Sequence, residues 1–211
     1  MRKSLLFGVF ASVLGGGTVV ALAAPLSGAQ VSAPATQIVD KGAGKVDSMR
    51  LSLEPAVAAS AAEKKLLPRG VKSLLKVPRT LEHGDYVWDD AGVPAGKISA
   101  FVDMRRQMIS VFRGGHEIGT AVVVYGGNGF DSPTGRFPIL RMYRDYHSRS
   151  YDAPMPYSMF VTNDGVALHG SPMAADRATH GCIGLPISFA RLLFEEAGKG
   201  DIVEIVRSNP A

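Results

Sequence analysis

The chain predicts a mostly β fold with one clear helix beside a loop that carries its single cysteine. Between Lys97 and Leu168, short apolar and β-branched runs are punctuated by Gly, Asn, Asp and Pro turns. A helical period shows clearly at Phe189, Leu192 and Leu193, spaced i, i+3, i+4. Between these two regions lies Ala178-Thr179-His180-Gly181-Cys182-Ile183, and a second His-Gly step begins at His169, thirteen residues before Cys182.

The elements follow in order. Ile98 to Met104 alternates partly, and Met108 to Phe112 is a second run. Gly114-Gly115 signals a hairpin turn into a third, Ile118 to Tyr125. Gly126-Gly127-Asn128-Gly129 ends that strand, and Ser132-Pro133-Thr134-Gly135 turns the chain into Phe137 to Met142. Phe160 to Thr162 and Val166 to Leu168 flank the turn Asn163-Asp164-Gly165. Pro186 opens the helix from its first turn, and Gly198 to Gly200 ends it. Asp201 to Val206 is a last strand.

The N-terminal part has a different character. Arg2 and Lys3 precede a charge-free apolar stretch from Leu5 to Val20, and Ala21-Leu22-Ala23 fits a small-x-small cleavage site. Residues 1–23 therefore read as a secretory signal, and the protein is expected to be exported to the periplasm or cell envelope. Residues 24–84 read as a flexible linker, rich in Ala, Ser, Pro, Gly and Val up to about residue 62. A short helix is allowed within Glu63 to Lys76, where Pro68 and Gly70 interrupt the pattern. Residues 85–208 form the folded domain. Trp88, the sole tryptophan, is expected to seal its edge.

The formal charge of +4 falls to +2 once Arg2 and Lys3 are set aside. That is too weak a bias for nucleic acid, and no dense Lys/Arg run with interleaved aromatics supports such a partner. It is compatible with a mildly anionic polymer. With one cysteine, an internal disulfide is excluded. One Cys and two His supply three zinc ligands, but no fourth ligand or finger spacing accompanies them, so neither metal nor cofactor is expected.

The remaining chemistry is thiol-based acyl transfer. A cysteine attacks as thiolate, and its free pKa of about 8.5 leaves little ionised at neutral pH. A neighbouring imidazole takes the proton, and backbone N–H groups hold the oxyanion. Cys182 is the candidate nucleophile, between His169 and His180 on one side and a strand on the other.

The chain resembles the L,D-transpeptidase catalytic domain family, the YkuD family, in a bacterial periplasmic subgroup. The resemblance spans roughly residues 85–207. Val102-Asp103 with Gln107 and Val111-Phe112 resembles the opening hairpin. Ser132-Pro133-Thr134-Gly135-Arg136-Phe137 resembles the family's Thr-Pro-Thr-Gly turn and strand. Asp152 to Tyr157 resembles a stretch of the subgroup, which the thirteen-residue His-to-Cys spacing also suits. Leu168-His169-Gly170 and Thr179 to Ile183 resemble the signature.

The resemblance implies a β-sandwich with one or two short helices beside the catalytic loop. It implies a cell-wall enzyme that releases a terminal D-Ala from a peptidoglycan stem peptide, forms a Cys182 thioester and passes the acyl group to an amine. His169 would be the general base, oriented by the Gly170 carbonyl. His180 and Gly181 would shape the pocket and, with the Cys182 N–H, the oxyanion hole. Tyr157 is a candidate for the substrate wall. The implied partners are stem peptides, a wall-anchored protein as acceptor, and carbapenem β-lactams as inhibitors.

One position departs from the family, which usually carries Arg or Asn two residues after the cysteine, where this chain has Gly184. Arg177 is the candidate substitute, against the plainer reading of a solvated loop charge. Two other functions stand beside the leading one: a hydrolase acting on stem or wall-protein links with water as acceptor, and a catalytically weak peptidoglycan-binding domain.

Overall fold

The computed structural model describes residues 37–38, 50–77, 79–127, 129–174 and 178–208. The signal segment, most of residues 24–49, and Arg177 lie outside the described residues. All described residues fall in the unit Pro34–Ala211.

In chain order the elements are β1 (Gln37–Ile38), β2 (Arg50–Ser52), α1 (Pro55–Glu63), β3 (Ser73–Leu75), β4 (Tyr86–Trp88), β5 (Ile98–Asp103), β6 (Met108–Arg113) and β7 (His116–Val122). They continue as β8 (Gly135–Pro138), β9 (Arg141–Tyr143), β10 (His147–Ser148), β11 (Ala153–Pro154), β12 (Ser158–Phe160), β13 (Ala167–Gly170), β14 (Ile183–Leu185), α2 (Ile187–Glu196) and β15 (Ile202–Val206). The fold is mostly β with two short helices, as the sequence leads one to expect.

Among the described residues, one sheet of nine strands runs β1-β4-β7-β6-β5-β15-β8, with β2 and β3 attached through β7. A second, four-stranded sheet runs β14-β13-β12-β9. The main core contains Val102, Ile109 and Ala121 from the first sheet and Met159, Leu168 and Ile183 from the second. It therefore lies between the two sheets, as in a sandwich. The helix α2 buries Phe189, Ala190 and Leu193 into the same core. Trp88 is buried edge-on against Phe189, which completes the seal expected of it.

Two elements differ from the sequence reading. Phe137 to Met142 reads as one run, but it divides into β8 of the large sheet and β9 of the small one. The chain crosses between layers at Ile139-Leu140, where the Ile139 side chain is buried in the core. The first helix lies at Pro55–Glu63, ahead of the stretch in which the sequence allowed one. The Ala-rich run with Pro55 at its first turn nucleates there, whereas Pro68 and Gly70 break the later stretch.

Residues 50–75 dock on the back of the large sheet. β2 pairs antiparallel with β3, and β3 meets β7 at Ser73 and His116. The Arg50 guanidinium donates to the carbonyls of Glu117 and Asp89. The Leu75 N–H donates to the buried Glu117 carboxylate at 2.8 Å. A second core cluster forms beneath, in which Val71 packs with Phe101, Phe112 and Val206.

Candidate active site

The site is built on the outer face of the small sheet. β13 and β14 run parallel, with Leu168 beside Ile183 and His169 beside Gly184. Paired residues project to the same face, and successive residues alternate. Leu168 and Ile183 therefore enter the core, and both are fully buried. His169 and Gly184 face outward. Cys182, two residues before Gly184, returns to that outer face. It packs against the cluster of Met155, Phe160 and Ala167.

The loop ahead of β14 is pinned at several points. The Thr179 N–H donates to the Tyr125 carbonyl at 3.0 Å, and the Thr179 hydroxyl donates to the Cys182 carbonyl at 2.5 Å. Gly181 has φ +102°, a conformation costly to any side chain, and its backbone fills the space a Cβ on Gly126 would need. Val124 and Gly184 exchange two backbone bonds, of 3.0 and 2.7 Å, which tie the two sheets together beneath the cysteine.

His169 is 8% exposed. Its Nδ1 lies 2.9 Å from the Gly170 carbonyl oxygen, so Nδ1–H is the donor. In the neutral ring that tautomer leaves Nε2 as a lone-pair base. Burial holds the imidazole below its ordinary pKa, partly offset by the Gly170 bond. The Cys182 thiol is pushed up by burial, while a backbone hydrogen bond from Ala167 acts in the opposite sense. The Sγ also lies 3.8 Å from the Gly165 carbonyl oxygen. At neutral pH the imidazole is therefore neutral and the Cys182 sulfur is a thiol.

The histidine of the signature loop is placed differently. His180 is exposed, with its ring stacked on Tyr151 at 4.3 Å and edge-on to Phe130 at 4.7 Å. Tyr151 covers one face of the ring and Phe130 meets it at a steep angle, so two other loops supply aromatics against His180. Tyr157 is half-buried and adopts φ +56°. Its ring contacts run to Phe194 of α2 and to Arg144, rather than to the cluster around Cys182. Met155, from the same loop, belongs to the cluster against which Cys182 packs.

Gly170 packs against Pro156, and its N–H donates to the Pro156 carbonyl at 2.8 Å. The sequence reading missed Phe130 and Tyr151, which are far from His180 in the chain; the one signal was two exposed-type aromatics in Gly- and Ser-rich loops. Among the described residues, no group of three or more His, Cys, Asp or Glu is placed to hold a metal ion.

Comparison with known proteins agrees with this architecture. The L,D-transpeptidase catalytic domain (YkuD) matches residues 97–205, just over half of the chain. Among solved structures, an L,D-transpeptidase from Stackebrandtia nassauensis superposes with a TM-score of 0.51 at 25% identity, over 56% of this chain and 58% of that one. One from Mycobacterium smegmatis gives 0.48 at 20% identity, over 52% and 58%. An L,D-transpeptidase in complex with imipenem gives 0.48 at 24%, over 52% and 59%. No curated protein matches. The chain spans just under three-fifths of the length of these relatives. By its matched domain, and by the sandwich that carries it, the chain belongs to the L,D-transpeptidase catalytic domain family.

Proposed function

We propose that this protein is an exported, cysteine-dependent L,D-transpeptidase of the bacterial cell envelope, acting on peptidoglycan stem peptides. One observation carries the reading: Cys182, the residue before β14, and His169 of the neighbouring β13 lie on the same face of the small sheet, and His169 is fixed through Nδ1 on the Gly170 carbonyl. Membership of the family supports it.

The proposed reaction uses these two groups. The Cys182 sulfur adds to the stem carbonyl as His169 Nε2 takes its proton. N–H groups of the Gly181-Cys182 backbone receive the oxyanion, a contribution worth about 10²–10³ in rate per donor. The carbonyl reforms, the C–N bond breaks, and His169 returns the proton to the departing D-Ala amine. A thioester remains. An acceptor amine, from a second stem or a wall-anchored protein, then attacks it. His169 takes a proton from that amine and gives it back to the leaving sulfur. A strained carbapenem carbonyl would acylate the same thiol.

Residues 1–23 are proposed as the secretory signal, 24–84 as the connection to the catalytic domain, and 85–208 as that domain. Within the connection, residues 50–75 are docked on it. The alternatives are water as acceptor, giving a hydrolase, and a weak binding domain. Gly184 does not favour the binding domain, because Val124 and Ser171 leave no room for a side chain there.

The test is intact-mass spectrometry of the full-length protein with tetrapeptide stems or a carbapenem, beside Cys182→Ala. An adduct on wild type alone supports the reading, and product analysis names the acceptor. A folded protein that forms no adduct and releases no D-Ala from several stem types overturns it.

A further inference from the structure

The charge of the chain is unevenly placed. Residues 50–77 carry six Lys and Arg against two Asp and Glu, a net of +4 that equals the whole chain's. Residues 85–208 carry twelve against fourteen, a net of −2. Within 50–77, Arg50 is engaged with the carbonyls of Glu117 and Asp89. The other five cations, Lys64, Lys65, Arg69, Lys72 and Lys76, are exposed. Among the described residues none of these five forms an ion pair.

The cations stand around an apolar helix that the fold leaves open. Apart from Ser60 and Glu63, α1 is Pro, Ala and Val throughout, yet only Ala58 is buried. Val57 is 58% exposed. Lys64 lines one flank of the helix with Val57 and Ala61, and Arg69 and Lys72 line the other with Pro55 and Ala62. The two acidic residues of the segment, Glu54 and Glu63, sit at the ends of α1. A helix without a polar face ordinarily buries its surface. Exposed aliphatic groups ringed by Lys and Arg suit the boundary of an anionic bilayer, where the aliphatic groups enter the headgroup layer and the cations meet lipid phosphates.

The place of the segment in the fold separates this surface from the thiol. It covers the back of the large sheet, over Phe101, Phe112 and Val206. Cys182 packs on the outer face of the small sheet, across a sandwich whose layers are about 10 Å apart. A stem held at Cys182 therefore meets a different side of the molecule. Residues 50–77 also contain no aromatic ring on which a sugar could stack.

We propose that α1 and the cations around it form a docking surface for an anionic lipid bilayer, on which the protein sits with its Cys182 face turned away from the membrane. This surface is independent of the chemistry proposed for Cys182.

The experiment is flotation of the full-length protein with vesicles of phosphatidylcholine alone and of an equal mixture of phosphatidylcholine and phosphatidylglycerol. The apolar stretch Leu5 to Val20 is available to both kinds of vesicle, so the ratio of the two affinities reads the charged surface. Wild type should favour the anionic vesicles, and salt should weaken that preference. A Lys or Arg near such a surface is worth about 5-fold in affinity, so the triple variant Lys64→Gln, Arg69→Gln, Lys72→Gln should lower the preference by about 100-fold. Val57→Ser should weaken binding to the anionic vesicles several-fold. Thermal unfolding checks that each variant is folded. Equal binding of wild type to both vesicles, or a preference kept by the folded triple variant, overturns the proposal. So does binding that soluble polyglutamate displaces and Val57→Ser leaves unchanged, which assigns the face to an anionic polymer. Acylation of Cys182 is read separately: failure to dock leaves it intact, and its failure leaves docking intact.

Discussion

Gly184 stands in register with His169 on the adjacent parallel strand, and the space beyond its Cα is filled by Val124 and Ser171. A Cβ built there would lie 2.6 Å from Val124 Cγ2 and 2.9 Å from Ser171 Cβ. The family usually has Arg or Asn at this position. In this chain β14 is drawn so close to Val124 that no side chain fits, and the site is held by backbone bonds between the two strands.

Gly184→Arg should therefore destabilise the protein by about 1–3 kcal/mol through overpacking. Thermal unfolding measures this, and a second change, Ser171→Gly, should recover part of the loss. An equally stable Gly184→Arg would remove the packing explanation.

The buried pair sets the pH response. His169 titrates below its ordinary value, so it stays neutral down to somewhere under pH 6.5. The acid limb of the pH–rate profile should lie below that point. The unfolded chain takes up the His169 proton first, so this group's contribution to stability is full above about pH 6.5 and is lost as pH falls. The Cys182 thiol titrates above its ordinary value. Alkylation by iodoacetamide should still be rising above about pH 8.5. A labelling plateau reached at neutral pH would show a preformed thiolate instead.

Tyr151 and Phe130 both contact the His180 ring. Ring pairs of this kind are worth about 0.5–1.5 kcal/mol. Tyr151→Ala should lower kcat/KM by up to about 10-fold and leave the melting temperature almost unchanged, because Tyr151 is exposed. A large fall in melting temperature would make Tyr151 a structural residue rather than a rim residue.

Arg50 fastens the docked segment to the large sheet. Its guanidinium bonds two carbonyls and lies 3.9 Å from the Asp89 carboxylate. Arg50→Ala leaves those carbonyls without their donor, at a cost of about 1–3 kcal/mol. Hydrogen exchange should rise in β3 and at the Leu75 amide before it rises in β13. Unchanged exchange there would mean that the segment is held by the apolar cluster of Val71, Phe101 and Phe112 alone.

Much was legible in the chain itself. The strands from Ile98 to Val122, the helix face at Phe189 and Leu193, and the pairing of a lone cysteine with two His-Gly steps follow from periodicity, turn residues and thiol chemistry. These are local signals, and the core they form is the one between the sheets. Other features depend on which strands become neighbours. The sequence shows a glycine at 184, but only the approach of Val124 and Ser171 explains it. It shows Phe130, Tyr151 and His180 in three separate loops, and only the folded rim stacks them. Local pattern fixes how a segment folds and which face it buries; contacts between residues distant in the chain arise when the layers pack, and those contacts surround the thiol.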